Sequence, residues 1–348
     1  METKIFKVTK DDLNILNEAS KLLNDGKLVA FPTETVYGLG ANAYDAEACK
    51  SIFAAKGRPS DNPLIVHVSK PEDAENIAYT CPIYYELAKA FMPGPLTVIL
   101  PKKETIPYEV TAGLDTVAVR CPKNEVANKL IEISEIPIAA PSANSSGKPS
   151  PTSAQHVYDD LNGKIPMILD GGDCEFGVES TVISINDDVI TILRPGSVTP
   201  KMLEGVSENV KIASAVKEEL KAGEKALSPG MKYKHYAPRA NLYLVDDKYI
   251  NFIEFVKEKQ KTENCGIMCY DEEISSFDGK NLLPVGKEND IKKQTKNLFN
   301  LLRKADDIGV DTVYAHLPKD DGESLAIYNR MIRACAHRVI GGRNGEDK

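Results

Sequence analysis

Thr35, Lys56, Arg58, Asn62 and His67 all fall within residues 28–68, LVAFPTETVYGLGANAYDAEACKSIFAAKGRPSDNPLIVHV. A hydroxyl, two fixed cations, an amide and an imidazole suit an anionic, oxygen-rich ligand. Residues 28–31 read as a short buried strand ended by Pro32. A polar turn, Thr33-Glu34-Thr35, follows, and Gly38 and Gly40 are expected to bend the backbone tightly. Asp45 is the expected N-cap of a helix whose apolar face carries Ala48, Ile52, Phe53 and Ala55, with Gly57 at its C-cap. Residues 64–68 supply a second buried strand. The polar set therefore gathers at strand ends, where open α/β sheets bind ligands. Each residue also has a plain alternative. Lys56 offsets a helix dipole, Arg58 is a solvated surface residue, and His67 is a satisfied core histidine.

The elements that must position this set belong to a chain of 348 residues, long enough for two domains. A hydrophobic content of 42% with 27% charged residues is that of an ordinary globular protein. No apolar run approaches the ~20 residues of a membrane helix. METKIFKVTKDDLN lacks an apolar signal core, so a cytoplasmic location is expected. The 7 cysteines are scattered, and Cys265 and Cys269 lie in an expected strand; reduced thiols without a zinc site follow. A net charge of −8 argues against broad nucleic-acid affinity but leaves room for a local cationic pocket.

Along the chain, helices are expected at 11–25, 82–91, 124–134 and from an N-cap at Thr152 to about 161, with strands at 96–100, 116–120, 137–140 and 167–169. Residues 182–185 and 189–193 alternate across Asp187-Asp188 as a hairpin, so the first sheet should be mixed. The loop PSANSSGKPSP, residues 141–151, leads into a helix and so can offer backbone N–H groups to a phosphate. It lacks the spacing of a Walker loop, and the plain alternative is a surface linker. Residues 206–226 read as a charged tether. ALSPGMKYKHYAPRA, residues 226–240, reads either as a strap over the first domain's pocket or as a spacer. Beyond it strands at 242–245, 265–270, 282–285 and 312–316 alternate with helices at 248–260, 289–307 and 323–338, a small three-layer α/β domain with a parallel sheet. No GxGxxG supports a dinucleotide role there. The final helix carries Asn329, Arg330, Arg333, His337 and Arg338, read as a solvated or interdomain face rather than a ligand face.

The first domain is rich in Thr, Ser, Asn, Lys and Arg but offers no GxSxG, HExxH, Cys/His frame or paired carboxylates. Such a site fits chemistry performed by the substrates while the protein holds them and neutralises charge.

PTETVYGLG, AAKGRPSDNPLIVHV, LDTVAVRCP, APSANSSGKPSPTSAQHV, ESTVI and LRPG occur in order over roughly residues 10–200. Together they resemble the YrdC-like family of threonylcarbamoyl-AMP synthases, and the remainder resembles the extra domain of its long form. The resemblance implies an α/β fold: a YrdC-like twisted mixed sheet with flanking helices, and a smaller Rossmann-like three-layer C-terminal domain. It implies boundaries at 1–206, 207–239 for a linker or lid, and 240–348. The implied activity is nucleotidyl transfer, converting L-threonine, bicarbonate (or CO2) and ATP into threonylcarbamoyl-AMP and pyrophosphate. The product would pass to partner enzymes that make threonylcarbamoyladenosine in tRNA. By position, Thr35, His67, Arg120 and Thr181 match residues that cradle L-threonine. Arg58, Asn62, Thr116, Ala140, Ser142, Asn144, Ser150, Ser180, Arg194 and the linker residue Tyr236 match ATP contacts. Lys56 and Arg58 match residues that disperse charge during displacement. Mg2+ is expected on the ATP phosphates and water, with no protein ligand named.

Two other readings stay open at this point. An RNA-binding module would use the same basic concavity, although acidic charge and sparse aromatics disfavour it. A carbamoyl-adenylate enzyme of the hydrogenase-maturation type shares this domain but carries acylphosphatase and zinc-finger portions absent here.

Overall fold

The structure is a computed structural model, and it describes residues 2–218 and 236–341. Of these, 2–146 and 150–218 form one compact unit, and 147–149 with 236–341 form a second. Of the strap read at 226–240, residues 226–235 lie outside the described residues.

The first unit contains strands β1 (Lys4–Lys7), β2 (Val29–Phe31), β3 (Gly38–Asn42), β4 (Ile65–His67), β5 (Leu96–Pro101), β6 (Thr116–Arg120), β7 (Ile138–Ala139), β8 (Met167–Asp170), β9 (Thr181–Asn186), β10 (Val189–Arg194) and β11 (Val210–Ile212). They form one sheet in the order β1-β8-β2-β3-β7-β4-β6-β5-β9-β10-β11. Pairing is mixed: β4 runs parallel to β6, and β5 parallel to β9, while β3, β7 and β4 alternate direction. The expected mixed sheet is present.

Its helices are α1 (Leu13–Asn24), α2 (Ala46–Lys56), α3 (Pro82–Phe91), α4 (Tyr108–Thr111), α5 (Glu125–Ser134), α6 (Ala154–Leu161) and α7 (Pro200–Glu204). Strand alternation divides the core. Val29 and Phe31 join Leu16, Leu23, Leu130 and Ile131 of α1 and α5, whereas Leu28 and Ala30 join Ile52, Tyr84, Leu87 and Val157. Asp45 caps α2 by accepting from the backbone N–H groups of Glu47 and Ala48, and Gly57 ends it at φ 63°. The α6 cap is Ser153, one residue beyond the expected Thr152.

Two expectations give way in this unit, and one strand was not foreseen. Gly38 and Gly40 do not form a bend; they lie in β3. A Cβ on Gly40 would stand 2.8 Å from Ile138 and 2.9 Å from Phe31, so the absent side chain lets β3 lie against both. The N-terminal Lys4–Lys7 forms an edge strand, with lysine at both ends as edge strands favour. The described part of the 206–226 segment is not bare tether, because β11 extends the sheet beside β10 and a 3-10 turn, Ser214–Val216, follows.

The second unit holds β12 (Asn241–Val245), β13 (Cys265–Met268), β14 (Thr312–His316) and β15 (Val339–Ile340), all parallel, in the order β13-β14-β12-β15. Helices α8 (Phe252–Gln260), α9 (Ile291–Asp307) and α10 (Leu325–Ala334) complete it. The strand expected at 282–285 reduces to a bridge between Leu282 and Ile267. Of the two readings of the final helix, a solvated or an interdomain face, the solvated one does not hold for its first three polar residues. Asn329, Arg330 and Arg333 are buried, and Arg330 is wholly enclosed with its guanidinium 5.7 Å from the Tyr236 ring.

Candidate active site

The C-terminal ends of β4 and β6 coincide, and their register sets His67 opposite Arg120. On the other side of β6, Thr97 of β5 also faces Arg120, and Leu96 faces Thr181 of β9. Four adjacent strands thus bring His67, Arg120, Thr97 and Thr181 to one region. All four are buried.

Arg120 is held on two sides. Its Nη2 donates to Glu34 Oε1 at 2.7 Å and its Nε to the Gly94 carbonyl at 3.4 Å. The other Glu34 oxygen accepts from the backbone N–H groups of Lys123 and Asn124 at 3.1 and 3.4 Å, where α5 begins. The pair is almost closed to solvent, at 5% and 3% side-chain exposure, so each charge needs the other. Glu34 belongs to the turn after β2, which Thr33 braces by bonding Thr35 Oγ1 at 2.8 Å and the Val36 carbonyl at 2.6 Å. Burial, and then the Arg120 charge, push His67 down to about 3. It is a neutral imidazole at pH 7, with Nδ1 3.2 Å from the Ile65 carbonyl and its ring edge-on to Phe31.

A second group lies where α2 ends. Lys56, buried at the last turn, donates from Nζ to the carbonyls of Ser142 and Asn144 at 2.5 and 2.7 Å and to Asn144 Oδ1 at 3.3 Å. Its own carbonyl accepts from Ser146 N–H at 2.9 Å. Ser142 Oγ donates to Asn144 Oδ1 at 2.5 Å. The small-residue loop is therefore stitched to the helix end rather than left as a linker. Its margins are fixed too, because Leu39 N–H bonds Pro141, Tyr37 N–H bonds Pro151, and Ala140 N–H bonds the Ile65 carbonyl. Arg58 is half-buried, 5.9 Å over the Phe53 ring, with Nη2 3.5 Å from the Asn62 carbonyl.

A third group joins these. Arg194 donates from Nε to the Ser180 carbonyl and from Nη2 to Ser180 Oγ, both at 3.1 Å. Ser180 Oγ shares a 2.7 Å hydrogen bond with Thr97, and Ser150 donates to Glu179 at 2.5 Å. Thr181 Oγ1 donates to the Val198 carbonyl at 2.8 Å and accepts from its N–H at 3.1 Å. Gly196 makes this closeness feasible: a Cβ there would lie 2.5 Å from Thr181 N and 2.7 Å from the Glu179 carbonyl.

Two of the sequence-predicted residues are not joined to these groups by the geometry of the first unit. Thr116 opens β6 opposite Pro101, four residues from Arg120 and so about 13 Å along the strand. Tyr236 belongs to the second unit, buried and stacked on Phe299 at 5.1 Å. Sequence reasoning passed over Glu34, Thr97 and Glu179. For the two acids a signal existed, since each is a lone carboxylate set beside threonine or serine at a strand end.

The chain resembles known proteins along nearly its whole length. Residues 21–196 match the Sua5/YciO/YrdC family described as telomere recombination, and residues 198–336 match the threonylcarbamoyl-AMP synthase C-terminal domain. A threonylcarbamoyl-AMP synthase of Pyrococcus abyssi is 48% identical over 92% of this chain and 94% of its own. One of Bacillus subtilis is 43% identical over 93% of each. The solved structure of P. abyssi Sua5 complexed with L-threonine superposes with a TM-score of 0.87 at 45% identity, covering 97% of this chain and 98% of that one. With both domain models met in order and relatives aligned almost end to end, the chain belongs to the threonylcarbamoyl-AMP synthase family.

Proposed function

We propose how the residues above divide the work of this nucleotidyltransferase, an L-threonylcarbamoyladenylate synthase that uses ATP and serves tRNA threonylcarbamoyladenosine formation. The observation that carries the reading is the sheet-end pairing of an anchored guanidinium, Arg120, with a neutral imidazole, His67. Arg120 takes the L-threonine carboxylate, while Thr35, His67 and Thr181 surround the rest of the amino acid. His67, being uncharged, competes with neither the ammonium nor the carboxylate. Arg58, Asn62, Ser142, Asn144, Ser150, Ser180 and Arg194 face the nucleotide, with Ala140 offering backbone. Lys56 sets the shape of the 142–146 loop and lends its charge to the phosphates, as Arg58 does directly.

Thr116 is the weakest member of the nucleotide set on geometry, and Tyr236 is assigned by resemblance alone; each needs its own substitution. Mg2+ would be carried by phosphate oxygens and water, because the carboxylates at the site, Glu34 and Glu179, are already engaged by Arg120 and Ser150.

The threonine ammonium gives up one proton, bicarbonate takes up a proton to give CO2 and water, and the free amine combines with that CO2 to give a carbamate, its second N–H proton leaving to solvent. A carbamate oxygen then bonds to the ATP α-phosphorus as the α–β bridging P–O bond breaks, and pyrophosphate leaves with the electron pair. Nothing in this sequence of steps needs a protein nucleophile. The cleft contributes proximity, desolvation and positive charge where negative charge builds. The product is a mixed anhydride, so the enzyme that consumes it must transfer its acyl group to tRNA. Residues 1–206, 207–239 and 240–348 serve as catalytic domain, linker and C-terminal domain in this reading.

The test is pyrophosphate release from ATP with bicarbonate, adding L-threonine, L-serine or neither. Release that depends on threonine and bicarbonate supports the reading, and release that ignores threonine refutes it.

A further inference from the structure

Glu34 is a buried carboxylate with nothing to do in the chemistry above, yet both of its oxygens are held. One oxygen meets Arg120, the other meets two backbone N–H groups at the start of α5, and its own carbonyl accepts from Phe176 N–H at 2.9 Å. The turn around it is braced by Thr33. A carboxylate fixed from a strand end, a helix start and a loop cannot follow its partner, so Arg120 must stay where Glu34 is. The Nη1 group of Arg120 has no hydrogen bond among the described residues, and so one edge of a guanidinium that is 4% exposed remains to be used.

We infer that Glu34 is the positioning residue for Arg120 and keeps phosphate from taking the place of the threonine carboxylate there. This rests on the assignment of Arg120 to the threonine carboxylate. Left alone, a buried guanidinium beside a neutral histidine would take a phosphate oxyanion at least as readily as a carboxylate. Paired with Glu34, the Arg120 end carries no net charge. A single carboxylate can share the guanidinium there, whereas a phosphate with one or two negative charges meets the fixed charge of Glu34. Repulsion from Glu34 therefore keeps phosphate from the place that a single carboxylate can share.

The experiment compares wild type, Glu34→Gln, Glu34→Asp and Arg120→Lys by calorimetric titration with L-threonine, steady-state kinetics, and competition by inorganic phosphate. Glu34→Gln keeps the size and hydrogen-bonding capacity but removes the charge. It should weaken threonine binding about 10- to 100-fold, the scale of a charge-assisted hydrogen bond, while KM for ATP stays within about twofold. In that variant, phosphate should begin to compete with threonine. Glu34→Asp, which restores the charge one methylene short, should recover the exclusion of phosphate. A purely structural role would lower the number of competent sites with affinity unchanged, and that result overturns the inference. So does phosphate competing with threonine in the unmodified protein, a measurement that needs no variant to fold. If Arg120→Lys leaves threonine affinity intact, the assignment of Arg120 itself fails. If Arg120→Lys weakens threonine and Glu34→Gln does not, only the role given to Glu34 fails.

Discussion

His316 supplies a prediction about the second unit that can be worked from geometry. It ends β14, and its two ring nitrogens lie 2.9 Å from Asp247 Oδ2 and 2.8 Å from Glu273 Oε2. The ring is sandwiched by Tyr270 at 4.4 Å and Phe252 at 3.7 Å. Burial opposes the imidazolium, but hydrogen bonds and charge from both carboxylates outweigh it and raise His316 to about 9. Against an ordinary value of 6.5, the shift corresponds to roughly 3 kcal/mol, and screening at Asp247, whose side chain is 48% exposed, brings that nearer to 2. The folded chain holds a proton that the unfolded chain has released between those two values. Stabilisation is therefore complete below 6.5 and drains away as pH rises through 9, at about 1.4 kcal/mol per unit at most. His316→Gln removes the titrating group. Urea unfolding of both proteins from pH 6 to 9.5 should show a stability gap that closes with rising pH, and the His316 ring protons should titrate far above 6.5 in NMR. A gap that stays constant across that window, or a ring that titrates near 6.5, would refute the reasoning.

Three further outcomes follow from the first unit. Lys56→Ala and Arg58→Ala should each lower turnover about 100-fold, Arg58→Ala with thermal stability nearly unchanged because its side chain is half-buried, and Lys56→Ala with some loss of stability because the Ser142 and Asn144 carbonyls lose their donor; pyrophosphate release at saturating ATP and thermal unfolding read the two effects. Gly196→Ala should cost about 1–3 kcal/mol and raise KM for threonine, since its Cβ would press on the Thr181 backbone; thermal unfolding and kinetics check it. His67, held neutral down to about 3, should show no NMR titration between pH 5 and 8. Its contribution to stability is full above 6.5 and falls as pH drops toward 3, because the unfolded histidine takes a proton that the folded one refuses.

How much of this was legible beforehand follows from the range of each interaction. The cap at Asp45, the stop at Gly57 and the hairpin at Asp187-Asp188 are decided within a few residues, and each is present, the hairpin with φ of 47° and 62° at its two aspartates. Gly38 and Gly40 misled because a glycine that relieves crowding looks the same in sequence as one that turns the chain. What crowds Gly40 is Ile138, nearly a hundred residues away. The final helix misled for a related reason. Arginine is usually exposed, and only the fold reveals that Arg330 lies under the Tyr236 ring. Glu34 is the extreme case. In sequence it is one acid in a polar turn, and its meaning resides in Arg120 and the start of α5, both far along the chain. Residue types therefore suggested an anion site, but the partner that holds the Arg120 guanidinium is a product of topology: the turn after β2 delivers the carboxylate, β6 delivers the cation, and the sheet order brings them together.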